Sequence, residues 1–136
     1  MKRCHFTVIL FLLLLPSCSR SPEDILLWAW GLNVGQLDHT VESFEDGQYG
    51  FLGTDVTTEI RMRVILPEKD IQKLILKGAH DLPIEESPNT KAWLERLSGI
   101  QDADNGVYYF EQGDSECKFL IYDRDSHTLF YYLSII

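Results

Sequence analysis

Basic side chains are scarce in this chain: 12 Lys and Arg stand against 21 Asp and Glu, a formal charge of −9 over 136 residues. Such a surface repels nucleic acid and anionic headgroups, so a nucleic-acid role is disfavoured. Cysteine is equally sparse. The three residues, Cys4, Cys18 and Cys117, form no Cys-x-x-Cys pair, and His39, His80 and His127 form no His-x-x-x-His pair, so no zinc motif is present. A Gly-x-Ser-x-Gly elbow and a glycine-rich phosphate loop are both missing, which removes the commonest hydrolase and nucleotide signatures. There is no internal repeat and no low-complexity tract. No cofactor and no metal is implied. The longest apolar run, Phe6 to Leu15 with Thr7 inside it, covers only about half of a bilayer's roughly 30 Å hydrocarbon core as a helix.

That run follows Met1-Lys2-Arg3 directly and suits a secretory signal better than a membrane span. A buried N-terminal helix or strand is the competing reading. It is outweighed because the basic start and the apolar run adjoin. Next comes Leu15-Pro16-Ser17-Cys18, which resembles the lipobox of bacterial lipoproteins: Leu three places before the cut, a small residue just before it, then cysteine. Pro16 departs from the small or β-branched residue usual at its place. The resemblance implies cleavage before Cys18 and a lipidated Cys18 carrying diacylglycerol and an N-acyl chain. Each buried methylene contributes about 0.8 kcal/mol, so two or more chains make a stable anchor. Ser19 in place of Asp resembles the outer-membrane sorting pattern, and implies an outer membrane facing the periplasm if the host is diderm.

Cleavage there would remove 17 of 136 residues and two of 12 basic ones, leaving 119 residues, 10 basic against 21 acidic side chains and a formal charge of −11. Cys4 would leave and Cys18 would be acylated, so Cys117 would be the one remaining thiol and no internal disulfide would form. The expected organisation is a signal peptide over 1–17, a lipidated cysteine and tether over 18–24 and a single domain over 25–136. Ser19 to Asp24 as a tether reaches at most about 20 Å. The acidity suits a basic protein partner as well as simple solubility.

The fold expected is α+β, an antiparallel sheet with a C-terminal three-strand meander and two helices on one face. Ile25 to Leu32 is apolar throughout. It reads either as a Trp28/Trp30 pair at the headgroup level or as a first strand or turn packed into the core, and the core reading is favoured because tryptophans bury well in small domains. Asn33 to Thr54 reads as a loop with one short strand around Thr40 to Phe44. Thr57 to Leu66 alternates, with Ile60, Met62, Val64 and Leu66 on one face. A helix follows from Pro67 to Gly78, with Ile71, Leu74 and Ile75 as its apolar stripe. Asn89 or Ser87 caps a second helix through Leu97, with Trp93, Leu94 and Leu97 inward. Gly106 to Glu111, Glu116 to Tyr122 and Thr128 to Ile135 read as strands joined by short turns.

From about Gly50 onward the chain resembles a family of small uncharacterised bacterial proteins. The resemblance is carried by Gly53-Thr54-Asp55, the strand to Leu66, the helix from Pro67, Leu82-Pro83-Ile84, Tyr108-Tyr109-Phe110, Ile121-Tyr122-Asp123 and Leu129-Phe130-Tyr131-Tyr132. It implies no activity and no catalytic residue.

Asp102 to Gly106 starts like a calcium loop but fails the register, since Gly106 falls at position 5 and Gly113 at position 12. Its Asn-Gly pair reads as a turn. Cys117 with His127 and Asp123 or Asp125 resembles a thiol dyad on paper. Yet Cys117 alternates with Phe119 and Ile121 and belongs to an apolar face, where a thiol is a poor nucleophile. The aromatic residues of the last three strands are the strongest surface feature. If helices cover only one face, Tyr108, Tyr122 and one of Tyr131 and Tyr132 form an exposed interaction surface. Cross-strand packing inside the sheet is the weightier alternative.

The functional expectation is therefore a membrane-anchored lipoprotein with a non-enzymatic protein-binding domain of immunity or inhibitor type. An envelope structural or assembly factor and a hydrolase with a site invisible in sequence are the alternatives. Mass spectrometry of the mature protein is expected to find Cys18 at the N-terminus carrying the mass of its lipid. A chain that begins at Met1, or an unmodified Cys18, would refute the lipid anchor.

Overall fold

The computed structural model describes residues 20–49, 55–88, 90–91 and 99–135, with the side chains of 48 and 49 left aside. Cys18 and the expected signal peptide lie outside these residues. Ser21 opens the first helix: its hydroxyl accepts the backbone N–H of Asp24 at 3.1 Å, Pro22 takes a first-turn position, and Glu23 and Asp24 place negative charge at the helix's positive end. Such a cap contributes about 1 kcal/mol. Helix α1 runs Pro22–Trp30 and stops at Gly31, whose φ of 70° is left-handed backbone.

The expected first strand at Ile25 to Leu32 is thus a helix for most of its length. Pro22 to Asp24, expected as the end of a tether, form its first turn. What carries over is burial: Ile25, Leu26, Trp30 and Leu32 are core residues.

After a single 3-10 turn at Val34–Gln36 come β1 (His39–Tyr49), β2 (Asp55–Val64), helix α2 (Glu68–Leu76), β3 (His80–Asp81), β4 (Gly106–Gln112), β5 (Glu116–Asp123) and β6 (Thr128–Ile135). The stretch expected to be mostly loop therefore contains an eleven-residue strand. Its pairing with β2 shifts register between Val41 and Ser43. That bulge at Glu42 breaks the period-two pattern by which a strand is recognised.

The strands form one antiparallel sheet in the order β1-β2-β6-β5-β4-β3. The class is α+β, as expected. The expected three-strand meander is one part of a six-stranded sheet, because β6 pairs with β5 on one side and with β2 on the other, Ile60 opposite Tyr131 and Met62 opposite Leu129.

Alternation sends side chains into two cores. One face gathers Ile60, Met62 and Val64 of β2, Leu129 and Tyr131 of β6, Leu120 and Tyr122 of β5 and Val107 of β4, and both α1 and α2 pack on it through Ile25, Leu26, Trp30, Ile71 and Leu74. The other face gathers Tyr108, Phe119, Ile121, Phe130 and Tyr132, covered by Leu82, Ile84, Ile100 and Ala103. The segment that supplies this cover includes the second expected helix. Pro88, Thr90 and Lys91 are helical and the Ser87 hydroxyl accepts the Thr90 N–H at 3.2 Å, whereas Trp93, Leu94 and Leu97 lie outside the described residues.

Two close contacts fix β5 in the middle. The Tyr122 hydroxyl donates to the Val64 carbonyl and accepts the Leu66 N–H, both at 3.0 Å, and so ties the end of β2 to β5 inside the first core. A Cβ on Gly106 would fall 1.9 Å from the Tyr122 carbonyl oxygen, and φ there is 144°, so only glycine fits. Replacing Tyr122 by Phe strips a buried N–H and a carbonyl of their partner. The expected cost is about 1–3 kcal/mol, read as a lower urea midpoint at unchanged slope. An unshifted midpoint would show that the hydroxyl does not hold the two strands together.

Candidate functional site

Cover on both faces of the sheet decides the fate of the tyrosines. Tyr108, Tyr122, Tyr131 and Tyr132 are all buried, two in each core, and none forms the open aromatic surface expected for them. The physical reason is tertiary. Residues 82, 84, 100 and 103 pack on the face that the described helices leave open, and strand alternation cannot reveal such a cover.

The tryptophan pair splits. Trp30 is core: its ring meets Tyr109 edge-on at 5.1 Å and Tyr131 at 5.9 Å, with the Lys118 ammonium 5.7 Å from its centroid. Trp28 is 80% exposed.

The thiol dyad is not assembled. Cys117 pairs with Ser134 near one end of the β5–β6 ladder, whereas His127 precedes Thr128, which pairs with Asp123 at the other. Six strand residues, about 20 Å, lie between. Cys117 is buried, as its alternation predicts. Asn105 in the expected Asn-Gly turn donates to Asp125 at 2.9 Å, and its carbonyl accepts the Arg124 N–H at 2.8 Å, so these residues lock one strand connection to another. Among the described residues no group of three His, Cys, Asp or Glu side chains could hold a metal ion. None of the described helices is long and apolar enough to cross a membrane.

What the fold does gather is charge along the outer strand. β1 is the last strand of the sheet, and no described strand pairs with its outer side. Asp38, Glu42, Phe44, Glu45 and Asp46 are exposed on or beside it. Glu45 stands directly opposite Glu59 of β2, a like-charge pair. Such pairs destabilise a sheet. Glu42 lies 3.3 Å from Arg63 and 3.9 Å from Arg61. Asp46 accepts both the Thr58 hydroxyl at 2.8 Å and the Arg20 guanidinium at 3.0 Å. Overall acidity is legible in the sequence; its placement on an edge is not, because edge or centre is set by the strand order.

At the start of β1, His39 joins the strand to α1. Its Nδ1 donates to the Leu37 carbonyl and its Nε2 to the Glu23 carboxylate, each at 2.8 Å. Two acceptors call for two N–H groups, the imidazolium form. The Leu37 carbonyl first, then Glu23, raises the His39 pKa above its ordinary 6.5. The hydrogen bond from His39 leads in holding Glu23 below its ordinary 4.5. The raised histidine stabilises the fold fully below pH 6.5 and loses that effect as pH rises through its folded value. The lowered glutamate does so fully above pH 4.5 and loses it as pH falls through its folded value. The difference in melting temperature between the wild type and His39→Gln is therefore expected to be widest between pH 4.5 and 6.5 and to shrink on both sides. A difference that stays constant across pH would exclude the ion pair as its source.

Searched against family models, curated proteins and solved structures, the chain matches none.

Proposed function

We propose that the chain is a lipoprotein of a bacterial envelope, held on its membrane by lipid on Cys18, whose domain binds a basic protein as an inhibitor or immunity factor. The observation that supports this reading most is the outer strand β1, eleven residues long, where Glu45 lies exposed between Phe44 and Asp46 and opposite Glu59, while Glu42 and Asp46 are held by Arg63 and Arg20. An open strand edge offers unpaired N–H and C=O groups to an incoming strand. Carboxylates beside it select a basic segment and speed its approach. The C-terminal strands act as the founding meander in this reading, with β2 and then β1 added outward until the sheet ends at the acidic edge.

The opposition of Glu45 and Glu59 fits a site kept for a cation from outside. Like charges facing each other across a strand pair cost the sheet about 0.2–1 kcal/mol. A partner's Lys or Arg placed between them would remove that cost on binding. The domain thus carries a local repulsion where it contacts its partner, as functional sites commonly do.

Glu45→Lys separates the two properties. It replaces a repulsive pair by an attractive one, so the variant should be more stable by about 0.2–1 kcal/mol. Capture of the partner from membrane extracts should fall about tenfold at the same time, and wild-type capture should weaken with salt. Equal recovery by the wild type and Glu45→Lys, or no basic protein above background with either, would defeat the proposal.

A further inference from the structure

We infer that the helix layer is a bilayer-facing surface: the outer sides of α1 and α2 rest in the headgroup region of the membrane that holds Cys18. The inference rests on the lipid attachment proposed above and goes beyond it, from where the chain is anchored to how the domain lies.

Both helices pack on the same face of the sheet, so their outer sides point the same way. On α1 that side presents Leu27, 47% exposed, and Trp28, 80% exposed, one turn beyond Asp24. On α2 it presents Leu76, 87% exposed, together with Lys69, Lys73 and Lys77, spaced four apart and therefore on one stripe. Tryptophan with an apolar body and a polar ring nitrogen settles at membrane interfaces, and lysines reach from such a helix to phosphates. Three of the four carboxylates of this layer are engaged inside the domain, and Asp24 stays exposed beside Trp28. Glu23 is bound by His39, Glu68 by Arg124 at 2.7 Å, and Asp70 is buried beside Lys73 at 3.4 Å.

The charge is distributed to match. Residues 20–37 and 65–78, which make up this layer, contain four basic and four acidic side chains. The rest of the chain beyond Cys18 therefore carries the whole formal charge of −11. The neutral, apolar-studded side can approach a phospholipid surface that the acidic edge would avoid.

Chain geometry brings that side to the membrane. Pro22, the first residue of α1, follows Cys18 by four residues, so the lipidated cysteine lies within about 14 Å of chain from the start of that helix. Trp28 follows Pro22 by six helical residues, about 9 Å along the axis. An anchor this close makes a second contact intramolecular, and a weak one then suffices.

The experiment uses the acylated protein purified from membranes, with the lipid on Cys18 checked by mass, in vesicles of phosphatidylethanolamine and phosphatidylglycerol. The readout is quenching of tryptophan emission when the acyl chains carry bromine. Trp28→Phe removes the exposed ring and keeps the core. Quenching in the wild type is expected to exceed that in Trp28→Phe about twofold, and to fall in Lys69→Glu/Lys77→Glu. Equal quenching of wild type and Trp28→Phe in a protein whose Cys18 carries lipid would overturn the inference and leave the anchor standing. A protein with no lipid on Cys18 would remove both.

Discussion

The pairing of β6 with β2 carries the architecture. Those strands are separated by more than sixty residues of chain, yet Ile60 faces Tyr131 and Met62 faces Leu129 across their ladder. Without that ladder the last three strands would be a separate sheet, and β1 and β2 a hairpin too small to be stable in water alone. With it, one continuous face receives both helices. The Tyr122 hydroxyl then closes the end of the joint, where β2 hands over to the segment leading into α2. Everything placed outward, the acidic edge at β1 and the lysine stripe of α2, takes its position from this central seam.

A sheet covered on both sides leaves little room for function on its faces. The tyrosines are absorbed into two cores, and their hydroxyls serve the fold: Tyr108 accepts the Glu85 N–H at 3.3 Å, Tyr109 donates to Glu111, and Tyr122 bridges two backbone groups. In the proposed reading, recognition falls to the rim and to the outer surface of the helix layer. These two regions differ in chemistry, one acidic and strand-like, the other neutral, apolar and rich in lysine. The proposed reading, with a basic protein at the one and a lipid surface at the other, makes use of that division.

The elements read best in the sequence are those where local chemistry and tertiary packing agree. The alternation of Ile60, Met62, Val64 and Leu66, the proline and acidic first turn of α2, and the three aromatic strands of the C-terminus all lie close to where they are expected. α1 escaped for two reasons. Ser21-Pro22-Glu23-Asp24 has the composition of a linker as well as of a helix start, and Ile25 to Leu32 is apolar on all sides, which hides a period of 3.6. β1 is legible only as a short strand around Thr40 to Phe44, because the bulge at Glu42 shifts the alternation midway. The burial of Tyr108 and Tyr132 depends on Leu82, Ile84, Ile100 and Ala103, far away in sequence, and that of Tyr122 and Tyr131 on the helices across the sheet. The site was legible only as an amount of negative charge, since edge or centre is a property of strand order and not of composition.

The bulge and the carboxylates of β1 have one more effect. Molecules confined to a membrane plane meet far more often than the same number in a volume, and an open strand edge invites sister copies to stack. Here two copies brought edge to edge would oppose Glu42, Glu45 and Asp46 with their own duplicates, across a strand already twisted out of register. If the chain is anchored and binds a cation as proposed, the same side chains would also oppose its polymerising with itself at high surface density.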